Sequence, residues 1–137
     1  MRFMMIMFPG AKGEGPGLPD PKAIAAMTKY NEELTKAGVL LALDGLHPTA
    51  KGARVRFKGG KPTVTDGPFT EAKELVGGYW MIQVKSKEEA VEWARRCPAS
   101  EDEMIELRQV FEMSDFTHLS PDVAAQAAAV GETIGKS

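Results

Sequence analysis

Bulky apolar side chains fill successive positions from Met1 to Phe8, with Phe3, Met5 and Met7 on one side of an extended chain and Met4, Ile6 and Phe8 on the other. A strand that wants cover on both faces belongs in the middle of a sheet. Four glycines and two prolines between Gly10 and Pro19 then predict a surface loop, whose tip could fold over a cleft or be inert. Asp20 and Pro21 form a helix start: a capping oxygen followed by a proline whose missing N–H falls among the unpaired donors of the first turn. Ala23, Met27, Tyr30, Leu34 and Ala37 recur at steps of three and four as one apolar stripe, and Gly38 supplies the stop.

A second strand is predicted over Val39 to Leu43, ended by Asp44-Gly45-Leu46-His47-Pro48. Arg54 to Lys58 and Lys61 to Thr65 flank Gly59-Gly60, a pair that accepts the positive φ of a tight hairpin. In this arm Val55 and Phe57 alternate with Arg54, Arg56 and Lys58, so only one face is apolar. Beyond Asp66-Gly67-Pro68-Phe69 and a polar run from Thr70 to Glu74, the segment Gly77 to Val84 carries bulky residues on both faces, again the mark of a central strand. Ser86 and Glu89 predict a capping box for a helix over Lys87 to Cys97, closed by Pro98, and Ile105 to Phe111 reads as the last strand. Ser120-Pro121 opens an alanine-rich helix expected to end near Gly131, pack on the body or a partner, and leave a frayed terminus.

Strand, helix, strand, hairpin insertion, strand, helix, strand is the order of a ferredoxin-like βαββαβ sheet, which places the chain in the α+β class. The expected domain spans residues 1–112, with 113–137 as an extension holding a short helix. Two helices shelter only one sheet face. The other face, also apolar, is therefore expected to meet a second copy of the chain in a homodimer.

Seventeen basic and nineteen acidic residues give a net charge of -2, too balanced for a field that gathers polyanions, so nucleic acid is not an expected partner. The opening apolar run is too short to span a bilayer and meets Pro9-Gly10 at once, so neither membrane insertion nor export is expected. A single cysteine, Cys97, cannot form an intramolecular bridge and fits a reducing cytoplasm, where it would act as a small hydrophobe at a helix end. No phosphate loop, nucleophile elbow, zinc motif or calcium loop appears, so no cofactor or metal is expected.

Candidate chemistry is sparse. Asp66 opens a tight turn, where it either braces backbone N–H groups or faces a ligand. Glu71, Lys73 and Glu74 follow as a charge run, with Lys73 a candidate ligand contact. His47, at a strand end, carries the side chain that titrates nearest neutral pH and is a candidate proton carrier, while His118 in the tail is a weaker one. Arg54 and Arg56, two apart on one face, could hold a carboxylate or phosphate, or simply keep the arm soluble. Tyr79 could add a hydroxyl to a cleft, and Trp80, facing the opposite way, is a core or interface anchor.

The run Asp66-Gly67-Pro68-Phe69-Thr70-Glu71-Ala72-Lys73-Glu74 with Gly77-Gly78-Tyr79 closely resembles the signature of the YCII-related proteins, in their DGPF branch. Met1 to Phe8, Gly45-Leu46-His47-Pro48, Ala90 to Pro98 and Ile105 to Arg108 extend the likeness over residues 1–112. It implies a dimeric α/β-barrel form of the ferredoxin fold and a histidine and aspartate acting as a pair, carried here by His47 and Asp66. A relative acts in eliminating chloride from a hydroxylated aromatic compound. The arginine-proline step of the family's last strand is Arg108-Gln109 here. Two functions follow: cofactor-independent acid/base catalysis of lyase, isomerase or dehydrochlorinase type on a small polar or aromatic metabolite, or a non-catalytic dimeric module that binds a ligand or assists a transcription factor, since some members lie beside sigma-factor-like proteins.

Overall fold

A computed structural model describes residues 1–15 and 17–135. The four-stranded antiparallel sheet contains β1 (Arg2–Phe8), β2 (Leu40–Gly45), β5 (Gly78–Gln83) and β6 (Met104–Gln109) in the order β2-β5-β1-β6, so the two segments with bulk on both faces are indeed the central strands. Between β2 and β5, β3 (Ala53–Lys58) and β4 (Lys61–Asp66) form a separate two-stranded sheet, turned by Gly59 at φ 62 and Gly60 at φ 80. Helices α1 (Pro21–Lys36) and α2 (Lys87–Arg95) cover one face of the larger sheet, and α3 (Pro121–Gly135) ends the described chain.

The closed, ferredoxin-like dimeric α/β barrel expected from the sequence is not what forms. The architecture is α+β with two small open sheets. In the larger one β2 and β6 remain as edges, and the arm is a sheet of its own. Closure of small barrels takes roughly eight strands tilted so that first and last can pair, and four strands cannot bend that far. Side chains on both faces of β1 read as a demand for cover, but Met4, Ile6 and Phe8 are already half-buried among neighbours of the same sheet. Two-sided apolar strands therefore do not dictate closure.

The core lies between the covered face and the helices. Phe3, Met5 and Met7 of β1, Trp80 and Ile82 of β5, Tyr30 and Leu34 of α1 and Ala90 of α2 are buried in one cluster. Local signals place the helices as expected: the Asp20 carboxylate accepts from the Lys22 N–H at 3.1 Å, and Gly38 takes a φ of 74 just past the end of α1. Ser86 Oγ accepts from the Glu89 N–H at 3.1 Å, but the Glu89 carboxylate reaches back to the N–H of Lys85, one residue before the cap. Helix α2 ends at Arg95, short of Cys97, because its last turn tightens into i to i+3 bonds, Arg96 to Trp93 and Cys97 to Ala94, ahead of Pro98. Helix α3 continues past Gly131 to Gly135, with the Thr133 hydroxyl donating to Ala129, so the described part of the final five or six residues, expected to fray, is helical; Lys136 and Ser137 lie outside the described residues.

Burial beside α2, followed by the nearby Glu103 carboxylate, pushes the Cys97 thiol up to about 11. The folded protein therefore holds far less thiolate at pH 8 than a free cysteine near 8.5, and thiolate is the reactive form. Iodoacetamide at pH 8 is expected to alkylate folded Cys97 about a hundredfold more slowly than the same residue in denaturant, read by intact mass.

Candidate functional site

Two concavities flank the end of the sheet where β2 finishes and β5 begins. One, about 330 Å³, lies under the first half of α1 and is lined mainly by apolar groups, among them Met7, Ile24, Met27, Leu43 and Trp80. Its floor depends on two glycines. A side chain at Gly78 would come within 2.9 Å of the Asp44 carbonyl oxygen, and one at Gly77 within 2.8 Å of the Pro9 ring, so only glycine lets β1, β2 and β5 close up here.

Few polar side chains enter this cavity, and one of them is oriented. The indole N–H of Trp80 donates to Asn31 Oδ1 at 2.8 Å. An indole can only donate, so the amide oxygen of Asn31 is committed and its NH₂ donors are left for other partners. Trp80 is itself fixed by Tyr30, whose ring meets it edge-on at 6.0 Å and 88°, and the Tyr30 hydroxyl donates to the Trp93 carbonyl at 2.6 Å. Burial raises the Tyr30 phenol well above its ordinary value, which keeps it protonated and donating. Glu103, also on the wall, accepts the Ser100 N–H through Oε1 at 2.7 Å.

His47 and Arg54 share the second concavity, about 380 Å³, with Thr49, Phe69 and Glu74 also on its walls. The Arg54 guanidinium stacks 3.9 Å from the centre of the Phe69 ring. Asp66, Arg56 and Lys73 line neither concavity, so the histidine and the aspartate expected to pair are not joined in one pocket of the two. Asp66 ends β4 in an exposed position opposite Ala53, and it does not brace the turn that it opens. Thr49 does so instead: its Oγ1 accepts the Phe69 N–H at 2.9 Å, while the Gly67 N–H bonds to Gly52 O at 3.0 Å across a cis Gly67-Pro68 bond.

Tyr79 pairs across the sheet with Asp44, and its hydroxyl donates to Asp44 Oδ2 at 2.7 Å. That hydrogen bond raises the Tyr79 phenol. Leu43 and Trp80 are direct cross-strand partners turned toward α1, so alternation along the strands turns Asp44 and Tyr79 to the uncovered face, and only the margin of the α1 cavity is theirs. Asn31, Asp44 and Glu103 were absent from the residues singled out by sequence. For Asn31 a signal existed: it stands four residues after Met27 and three before Leu34, a polar position inside an apolar stripe.

Residues 1–114 match the family model of the YCII-related domain. The chain belongs to this family. A curated relative is an uncharacterized protein, R00369, of Rhizobium meliloti (strain 1021), 33% identical over 76 residues. That alignment covers 56% of this chain and 61% of the relative. Among the described residues of this YCII-related chain, no helix is long and apolar enough to cross a membrane.

Proposed function

We propose that this YCII-related protein, read as a DGPF-branch member from Asp66 to Glu74, is a homodimer that takes a small hydroxylated aromatic or similar metabolite into the cavity under α1. The observation that carries this reading is the Asn31 amide, its oxygen held by Trp80 so that its NH₂ donors are left at the wall of a mainly apolar cavity of about 330 Å³. Apolar walls with a few fixed polar groups suit an apolar ring bearing one polar end. In the catalytic form of the reading, a carboxylate proton relay through Glu103 moves one hydroxyl proton of a chlorinated hydroquinone to its chlorine-bearing carbon while the Asn31 NH₂ donates to the oxygen that becomes negative, and loss of the second hydroxyl proton then breaks the C–Cl bond to leave a quinone and chloride, with no cofactor. Dimerisation is supported by the uncovered face, where Met4, Ile6, Phe8 and Met81 stand together without a helix over them. A cytoplasmic location is supported by the use of a single, partly buried cysteine and no disulfide.

A second reading keeps His47 as the proton carrier with Asp66 as its partner. It is favoured by the position of His47 beside Arg54 and Glu74 in one concavity.

The test is a titration with 4-chlorophenol, read by amide shifts, and an incubation with chlorohydroquinone, read by chloride release. The α1 reading expects shifts at Gly45 and Gly77 to Trp80. Ala23→Phe, an exposed helix position on the cavity wall, should weaken binding by about tenfold or more. Glu103→Gln should abolish turnover while His47→Ala leaves it intact. Shifts confined to Leu46 to Arg54, with turnover lost in His47→Ala, would instead establish the second reading.

A further inference from the structure

A folded monomer of 14.8 kDa is expected to expose about 7,000 Å², yet this chain exposes 10283 Å². Part of the excess, roughly 3,300 Å² in all, belongs to α3, which packs closely on no other element, and the rest is of the size, roughly 1,000–2,500 Å², that each subunit buries in obligate dimers. Its location is not uniform. Strands β3 and β4 pack on each other and on no other element to a comparable extent. Val55, Phe57 and Val64 are 50%, 81% and 65% exposed. All three share one face of the arm, because Val55 pairs with Val64 and Phe57 with Pro62. A two-stranded ribbon is at best marginally stable in water by itself, and an aromatic left bare near its tip adds to the cost.

Charge is divided along the same boundary. Five of the 17 Lys and Arg residues lie between 51 and 65, where there is no Asp or Glu, which leaves 12 cations against 19 carboxylates in the rest of the chain. An arm of one sign beside a body of the other is attracted to such a body, and β3 and β4 pack closely on no other element of their own chain.

We propose that the arm is an exchanged element: in the homodimer each copy lays the Val55, Phe57 and Val64 face of its β3–β4 ribbon on the other copy, with Arg56, Lys58 and Lys61 on the ribbon's opposite, solvent-facing side. The root stays at home, held by the Gly67 to Gly52 hydrogen bond and by Arg54 over Phe69. This inference rests on the homodimer reading and adds the part of the chain that completes it. It also explains the composition of the arm, since a ribbon that merely had to remain soluble would not carry phenylalanine at an 81% exposed position.

Sedimentation equilibrium of the full chain, with and without the double substitution Phe57→Ser and Val64→Ser, tests it alongside hydrogen exchange of amides 54–65. Neither side chain belongs to the core, so the variant should keep its near-ultraviolet circular dichroism. Its dimer dissociation constant should rise by about 30-fold or more, the loss of a pair of interface anchors, and arm amides protected in the wild-type dimer should exchange freely. A wild-type dimer whose constant moves less than about threefold in the variant, or whose arm amides exchange freely from the start, would overturn the arm inference and leave the homodimer standing. A wild-type chain that is monomeric at micromolar concentration would overturn both.

Discussion

Trp80→Ala lowers the free energy of unfolding by about 3–5 kcal/mol, the range for deleting a buried aromatic, and the melting temperature by about 10–15 °C. Trp80 is 5% exposed, packs between Met5 and Leu43 as their cross-strand neighbour, meets Tyr30 edge-on, and donates its N–H to Asn31. Alanine leaves a void in the middle of the covered face. It also removes the donor that orients the Asn31 amide, so the stability loss and the loss of ligand binding should appear together. Trp80→Phe separates them: most of the packing survives, the Asn31 oxygen loses its partner, and the cost should fall to about 1–2 kcal/mol. Chemical denaturation followed by far-ultraviolet circular dichroism gives both values. A loss below about 1.5 kcal/mol for Trp80→Ala would mean that α1 is not held to the sheet through this residue.

The parts of this molecule that could be read along the chain are those specified by neighbours in sequence. Gly59-Gly60 announces its turn because two successive positive φ angles are needed there, and Asp20-Pro21 announces a helix start because cap and first turn are adjacent. Strands β1 and β5 could be ranked as central because alternation puts bulk on both of their faces. What pairs with what is a different kind of information. Asn31 meets Trp80 and Asp44 meets Tyr79 only because the sheet order β2-β5-β1-β6 and the placing of α1 bring distant segments together. The motif around Asp66 illustrates the limit most clearly. Its spacing identifies a tight turn and leaves Asp66 as either its brace or a ligand-facing carboxylate, but a hydroxyl from Thr49, across the arm's root, supplies the bond to the turn. The barrel expectation failed for a related reason: apolar patterning says that a face avoids water, and says nothing about whether the sheet bends to hide it.

Gly67→Ala is the second large effect expected, and it tests what the DGPF run is for. A Cβ at Gly67 would overlap the carbonyl oxygen and carbon of Thr49, both backbone atoms with no rotamer to retreat into. The turn cannot back away without giving up the Gly67 to Gly52 bond or the Phe69 to Thr49 bond, which together pin the root of the arm. The overlap should cost about 1–3 kcal/mol, the range for forcing extra atoms into a packed site, and its effect should be local first. Exchange of the Phe69 amide is expected to accelerate by about tenfold or more, and Arg54 should lose its seat over the Phe69 ring. Gly45→Ala is the control, because a Cβ there meets nothing within 4 Å and φ is not positive, so stability should stay within about 0.5 kcal/mol. If Gly67→Ala also proves neutral and the Phe69 amide keeps its protection, the motif does not hold the arm, and a ligand-facing role for Asp66 gains the ground that the turn loses.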